Sequence, residues 1–173
     1  MRPFSPSPHP TPRSTLAYRL AALLLFGASW CATAAIADER TPMPSIDLAP
    51  GEVVEIVVDA LQENPRLGND AGIATVFRFA SPDNRAMTGP LERFATMIKR
   101  GYRDMLGFAA SRFEPIEVEE DTAVQVVWLT QPDGRESGYV FQLGKQSSGE
   151  YDGMWMTDAV YPLGRGPRSG TSI

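Results

Sequence analysis

Apolar residues recur every three or four positions through the middle of the chain and every second position through its last third. Val54, Val57, Val58 and Leu61 fall at i, i+3, i+4 and i+7, which predicts one buried face of a helix from about Gly51 to Asn64. The valines weaken that assignment, because a β-branched side chain loses rotamer freedom in a helix. Asn64-Pro65 is expected to close the helix. Asp70 is a suitable N-cap for a second helix carrying Ile73, Val76, Phe77 and Ala80. A third helix is predicted from Pro90, a residue favoured at the first helical position. Leu91, Phe94, Met97 and Ile98 form its apolar face, Lys99 and Arg100 suit its negative end, and Gly101 suits its C-cap. Tyr102 to Leu106 adds one further turn.

From Phe108 the period shortens. Phe113, Ile116 and Val118 mark a first strand that Pro115 restricts to an edge or a bulge. AVQVVWLT, Ala123 to Thr130, is the clearest strand. The turn Gln131-Pro132-Asp133-Gly134 follows, with Pro presetting φ and Gly accepting positive φ. Gly138 to Leu143 returns as a third strand and Met154 to Tyr161 as a fourth, with a polar connection between them. Helices followed by consecutive antiparallel strands make an α+β order. The simplest packing lays the N-terminal helices on one face of a curved four-stranded antiparallel sheet, with Trp128, Phe141 and Trp155 as core or cavity wall.

SPDNRAMTGP, Ser81 to Pro90, separates the second and third helices. Ser81 can cap a short turn opened by Pro82, Asp83 suits the positive end of that turn, and Thr88-Gly89-Pro90 launches the next helix. The stretch is therefore read as a corner, with Arg85 as an anion contact at the rim of a site.

The N-terminus changes the chemistry available. Residues 1–19 hold Arg2, Arg13 and Arg19 and no acid, and Leu20 to Ala37 carries no charge before Asp38 and Glu39. A basic start, an apolar stretch and small residues before an acidic segment are the pattern of an export signal, with cleavage favoured after Ala37. The alternatives are an uncleaved anchor over residues 20–37, an organellar transit peptide, and a lipoprotein signal at Cys31, which Trp30 suits badly. Residues 38–49, with Pro42 and Pro44, are expected to form an extended leader, residues 50–163 the domain, and residues 164–173 a frayed tail. His9 and Cys31, the single histidine and the single cysteine, both lie in the segment to be removed. The mature chain would then have no imidazole, thiol, disulfide, or histidine or cysteine metal ligand, and neither metal nor cofactor is expected.

The composition is that of a globular protein, 43% hydrophobic and 21% charged. Loss of the three N-terminal arginines takes the basic count from 16 to 13 against 21 acids, a formal net charge of −8. Such a surface disfavours nucleic acid and anionic lipid. Membrane contact is expected only through the N-terminal segment, if it is retained. No phosphate-binding glycine fingerprint is present, and no serine has a histidine partner in the mature chain.

DAGIATVFRFASPDNRAMTGPLERFATMIKRGY, followed later by GMWMTDAV, resembles a family known as a domain of unknown function, with members in bacteria and photosynthetic organisms. The resemblance spans about Pro50 to Leu163 and is most specific over Phe77–Phe94. It implies a nuclear-transport-factor-2-like, cystatin-like fold, a cone of helices held in a bent sheet. It brings no catalytic residue to these positions, and the fold hosts enzymes and binding modules alike.

Asp158 is the leading catalytic candidate, a carboxylate on a strand of large apolar residues where burial would suit a general base. The competing reading points it outwards or ties it to backbone. Tyr102 and Arg103, beside Asp104, stand where they could gate the mouth of a cone and orient an oxyanion, or form an exposed helix end. Tyr139 and Tyr151 offer hydroxyls to a pocket or to the core. Trp128 and Trp155 are candidate pocket walls, and Met87, Met97, Met105, Met154 and Met156 could line an adaptable pocket or fill core gaps. The acids from Glu114 to Asp121 lack a calcium-loop pattern and read as a solvated strand turn. The expected role is non-catalytic: binding a small apolar or amphipathic ligand, or acting as an interaction module, with a homodimer through the open sheet face. The alternatives are a cofactor-free lyase, isomerase or hydrolase using Asp158, and a scaffold or assembly factor.

Overall fold

The valine-rich segment forms a helix because its valines are buried. The computed structural model describes residues 41–165, and the expected export segment, His9, Cys31 and residues 166–173 lie outside them. Helix α1 spans Pro50–Leu67, with Val53, Val54, Val57 and Val58 fully buried and Leu61 nearly so. Each buried valine gains about 1.5–3 kcal/mol, against a helix-propensity loss of at most about 0.7 kcal/mol, so burial decides. Glu52 steadies the start by accepting from the Ala49 N–H at 2.7 Å.

The helix does not stop at Asn64-Pro65 as the sequence predicts; it carries Pro65 inside it and ends at Leu67. Proline removes one backbone donor and leaves the carbonyl four residues earlier without its helical partner. That carbonyl belongs to Leu61, and it accepts from the Gly107 N–H at 3.3 Å. Gly107 has φ +64°, which favours glycine, and a Cβ there would stand 3.0 Å from the Pro65 ring. Tertiary structure thus replaces the missing donor.

Helix α2 spans Ala71–Phe79. Asp70 holds the N-cap position, but in a left-handed conformation (φ 56°) and without capping through its side chain. Asn64, from α1, does that work: its buried Oδ1 accepts from the Ile73 N–H at 3.0 Å. Asp70 instead meets Lys99 Nζ at 2.6 Å. The two helices touch so closely at Gly72 that a Cβ there would overlap the Ala60 carbonyl.

The corner read from SPDNRAMTGP is a seven-residue helix, α3, Pro82–Thr88, capped by Ser81 Oγ accepting from the Asn84 N–H at 3.3 Å. Helix α4 spans Leu91–Gly101, with Pro90 at its N-cap and not within it. Its Phe94 ring packs on Phe77, centroids 5.2 Å apart. A single 3-10 turn, Arg103–Met105, follows.

The sheet has five antiparallel strands in four rows: β1 (Ala110–Phe113), β2 (Glu117–Glu119), β3 (Thr122–Thr130), β4 (Glu136–Lys145) and β5 (Trp155–Arg165). The predicted first strand is split. Pro115 interrupts it, and β1 and β2 pair in succession along the same side of β3. Gln125 spans the break by donating to the Glu114 carbonyl at 2.9 Å. β4 and β5 complete the meander, and β5 runs on to Arg165, opposite Ser137, where the sequence suggests a frayed tail from Gly164.

Alternation divides the sheet. Ala123, Val127, Leu129, Tyr139, Phe141 and Leu143 face α1, α2 and α4 and join their apolar faces in one core. Val124, Val126 and Trp128 are half-buried on the opposite face. The leader is docked rather than loose: Arg78 donates to the Pro42 carbonyl at 3.2 Å, and Ile46 sits over Gly153. Among the described residues, no helix is long and apolar enough to cross a membrane.

Candidate functional site

The α2–α3 connection attaches to the free edge of β5, and this creates the site. Ala80 makes a one-residue parallel bridge to Thr157. The Thr157 carbonyl accepts from the Ser81 N–H at 2.9 Å and from Asn84 Nδ2 at 3.0 Å. Farther along the strand, the Tyr102 hydroxyl donates to the Val160 carbonyl at 3.2 Å. Helices α3 and α4 are therefore held off β5 at two points, and a cavity of about 260 Å³ remains between them.

Its floor comes from the core: Val57 and Leu61 of α1, Val76 of α2 and Phe141 of β4. Phe94, Met97 and Ile98 of α4 form one wall, with Met105 beyond them, and β5 from Thr157 to Tyr161 forms the other. Met87 (71% exposed) and Tyr161 (54% exposed) border it on the solvent side. The residues with polar side chains that border it are Asn84, Thr88, Tyr102, Thr157, Asp158 and Tyr161. Asn84, Thr88 and Thr157 stand together at the α3 end, where the Thr88 hydroxyl donates to the Asn84 carbonyl at 2.7 Å. Thr157 is 2% exposed, and its hydroxyl has no hydrogen-bond partner among the described residues. A buried hydroxyl left in that state costs on the order of 1–3 kcal/mol.

Of the residues singled out from sequence, Asp158 and Tyr102 border this cavity. Asp158 sits where the β4–β5 register shifts, between the pairs Leu143–Thr157 and Gln142–Ala159. Its carboxylate lies against Gly144, on the side of β4 opposite the buried Leu143, and the residue is half-buried. Tyr102 borders the cavity with its hydroxyl bonded to the edge strand. Arg103 is exposed and does not border the cavity.

Arg85, expected as an anion contact at the rim, does not border the cavity; its guanidinium carbon stands 4.8 Å from the Tyr151 ring centroid, a cation–π contact. Trp128 is not a cavity wall. It lies on the outer face, covers Gly138, and has the Arg112 guanidinium 5.8 Å from its ring. Trp155 packs half-buried against the core without reaching the cavity. Tyr139 is buried near Tyr102, ring centroids 6.3 Å apart. Burial first, then the neighbouring Asp104 and Tyr102, push its phenol up from 10 to about 12. Asp104 accepts from the Ser137 hydroxyl at 3.2 Å.

Met87, Met97 and Met105 border the cavity, whereas Met156 is fully buried outside it. Asn84, Thr88 and Thr157 were not legible as site residues. Each is an ordinary cap or strand residue until the α2–α3 bridge brings it to the strand edge. Among the described residues, no group of three or more histidine, cysteine, aspartate or glutamate side chains could hold a metal ion.

Fold and cavity define an α+β domain with helices on one face of an open antiparallel sheet and an apolar recess at the sheet edge. The chain belongs to the family described as domain of unknown function (DUF4864), whose model matches residues 51–165, from the first turn of α1 to the last residue of β5. No curated protein and no solved structure matches it.

Proposed function

We infer that this domain is a non-catalytic binding module that takes a small apolar or amphipathic molecule into the cavity between α3, α4 and β5. The observation that carries the reading is an apolar space of about 260 Å³ that survives beside a well-packed core and has exposed apolar residues at its solvent side. Protein interiors close voids of this kind, and an apolar recess with a few convergent polar groups is the usual form of a small-molecule site. Helices followed by a bulged antiparallel sheet also suit a nuclear-transport-factor-2-like cone, and the charge pattern of residues 1–37 supports export. The enzymatic alternative has less behind it, because the Asp158 carboxylate leans on Gly144.

The reading is tested by titrating the full chain with benzene, a probe that dry apolar cavities accept. The methyl resonances of Val57, Leu61, Met97 and Met105 should shift together and saturate. Met97→Trp, which fills the recess from α4, should abolish the effect while the fold is retained. Unmoved resonances, or equal binding by Met97→Trp, would remove the cavity as a binding site.

A further inference from the structure

We propose that the ligand is an uncharged, medium-chain amphiphile whose polar end carries a hydrogen-bond donor, in the manner of an alkanol; this rests on the cavity reading above. The hydrogen-bonding capacity left unspent around the cavity sets the ligand class. Asn84 Nδ2 is committed to the Thr157 carbonyl, the Thr88 hydroxyl to the Asn84 carbonyl, and the Tyr102 hydroxyl to the Val160 carbonyl. Three of the polar side chains around the cavity have thus placed a donor in the protein. Their oxygen lone pairs remain: among the described residues, nothing donates to Asn84 Oδ1, Thr88 Oγ1 or Tyr102 Oη. Thr157 adds a hydroxyl that is free in both senses. The second Asn84 Nδ2 hydrogen and the Tyr161 hydroxyl also stay available to donate, so free acceptor atoms outnumber free donors. A site rich in acceptors selects a ligand that donates.

Charge narrows the class further. No lysine, arginine or histidine among the described residues borders the cavity. A carboxylate or phosphate head would lose its water without gaining a countercharge, which is strongly unfavourable. Asp158 is the charged residue that borders it, and its carboxylate is turned towards Gly144. An alkylammonium head would therefore also enter largely uncompensated. Size sets the length: an engineered cavity of about 150 Å³ takes benzene, so 260 Å³ corresponds by simple proportion to roughly ten heavy atoms. The polar end belongs beside Asn84 and Thr157 at the α3 end, with the chain along Phe94, Ile98 and Phe141.

The experiment compares 1-nonanol, nonanoate and nonylammonium by calorimetric titration into the full chain at pH 7. Binding of 1-nonanol should be at least about tenfold tighter than that of either ion, given the uncompensated charge of the latter. Thr157→Val removes a hydroxyl that has no partner in the free protein, so the variant should fold as well as wild type. Loss of that one bond should weaken 1-nonanol by about two- to tenfold. Nonanoate or nonylammonium binding as tightly as 1-nonanol would overturn the ligand class while leaving the cavity as a site. An unchanged 1-nonanol affinity in Thr157→Val would overturn the polar anchor. If benzene and all three probes fail to bind, the cavity reading falls as well.

Discussion

Tyr139 lies on the inner face of β4, with its ring beside Tyr102 and the carboxylate of Asp104 close by. Both burial and the negative neighbour oppose ionisation, and the phenol is raised from 10 to about 12. The folded protein therefore keeps this proton at pH values where the unfolded chain has lost it. The associated stability is fully present below pH 10 and is lost as pH rises through about 12. Urea unfolding midpoints should fall over that interval in wild type, and the fall should be smaller in Tyr139→Phe. Parallel falls in the two proteins would contradict this placement of the phenol. At this scale the sequence was legible in kind but not in place. Asp70 had the chemistry of a cap, yet the cap is Asn64, six residues earlier, because the chain turns back between α1 and α2. Trp128 had the character of a wall residue, yet β3 alternation puts it on the face away from the helices.

The elements follow their periodicity closely. All the predicted helices and the last three strands of the meander are present, and α3 was legible as a capped turn from Ser81 and Pro82. Periodicity failed where a proline sits. Pro65 reads locally as a stop, but the Gly107 N–H satisfies the carbonyl that it frees, a long-range contact that no local pattern reports. Pro115 was placed correctly at an edge, but the strand it touches is divided in two by it. Helix α2 depends on another segment in the same way. Asn64→Ala would leave the Ile73 N–H without its side-chain cap and should destabilise the protein by about 1–2 kcal/mol. Thermal unfolding followed by circular dichroism should show a lower midpoint, with α1 otherwise unaffected. A midpoint equal to wild type would mean that Asn64 does not hold α2.

At the scale of the whole molecule, the α+β order and the single core were legible, since they depend on local periods and on which faces are apolar. The cavity was not, because it depends on one bridge between Ala80 and Thr157 and one hydrogen bond from Tyr102, both between residues far apart in sequence. The outer sheet face, with Val124, Val126, Val140, Trp128 and the exposed Tyr161, is the surface on which the homodimer expected from sequence would form. Trp128→Glu should then shift light-scattering mass from dimer to monomer, and a wild-type protein that is already monomeric at high concentration would count against it. Ligand capture at the β5 edge can be seen outright in an experimental structure of the protein isolated from its own host. Elongated density is expected between α4 and β5, with its polar end near Asn84 and Thr157. A recess closed by Phe94 and Met97 resting on Phe141, with nothing bound, would contradict it.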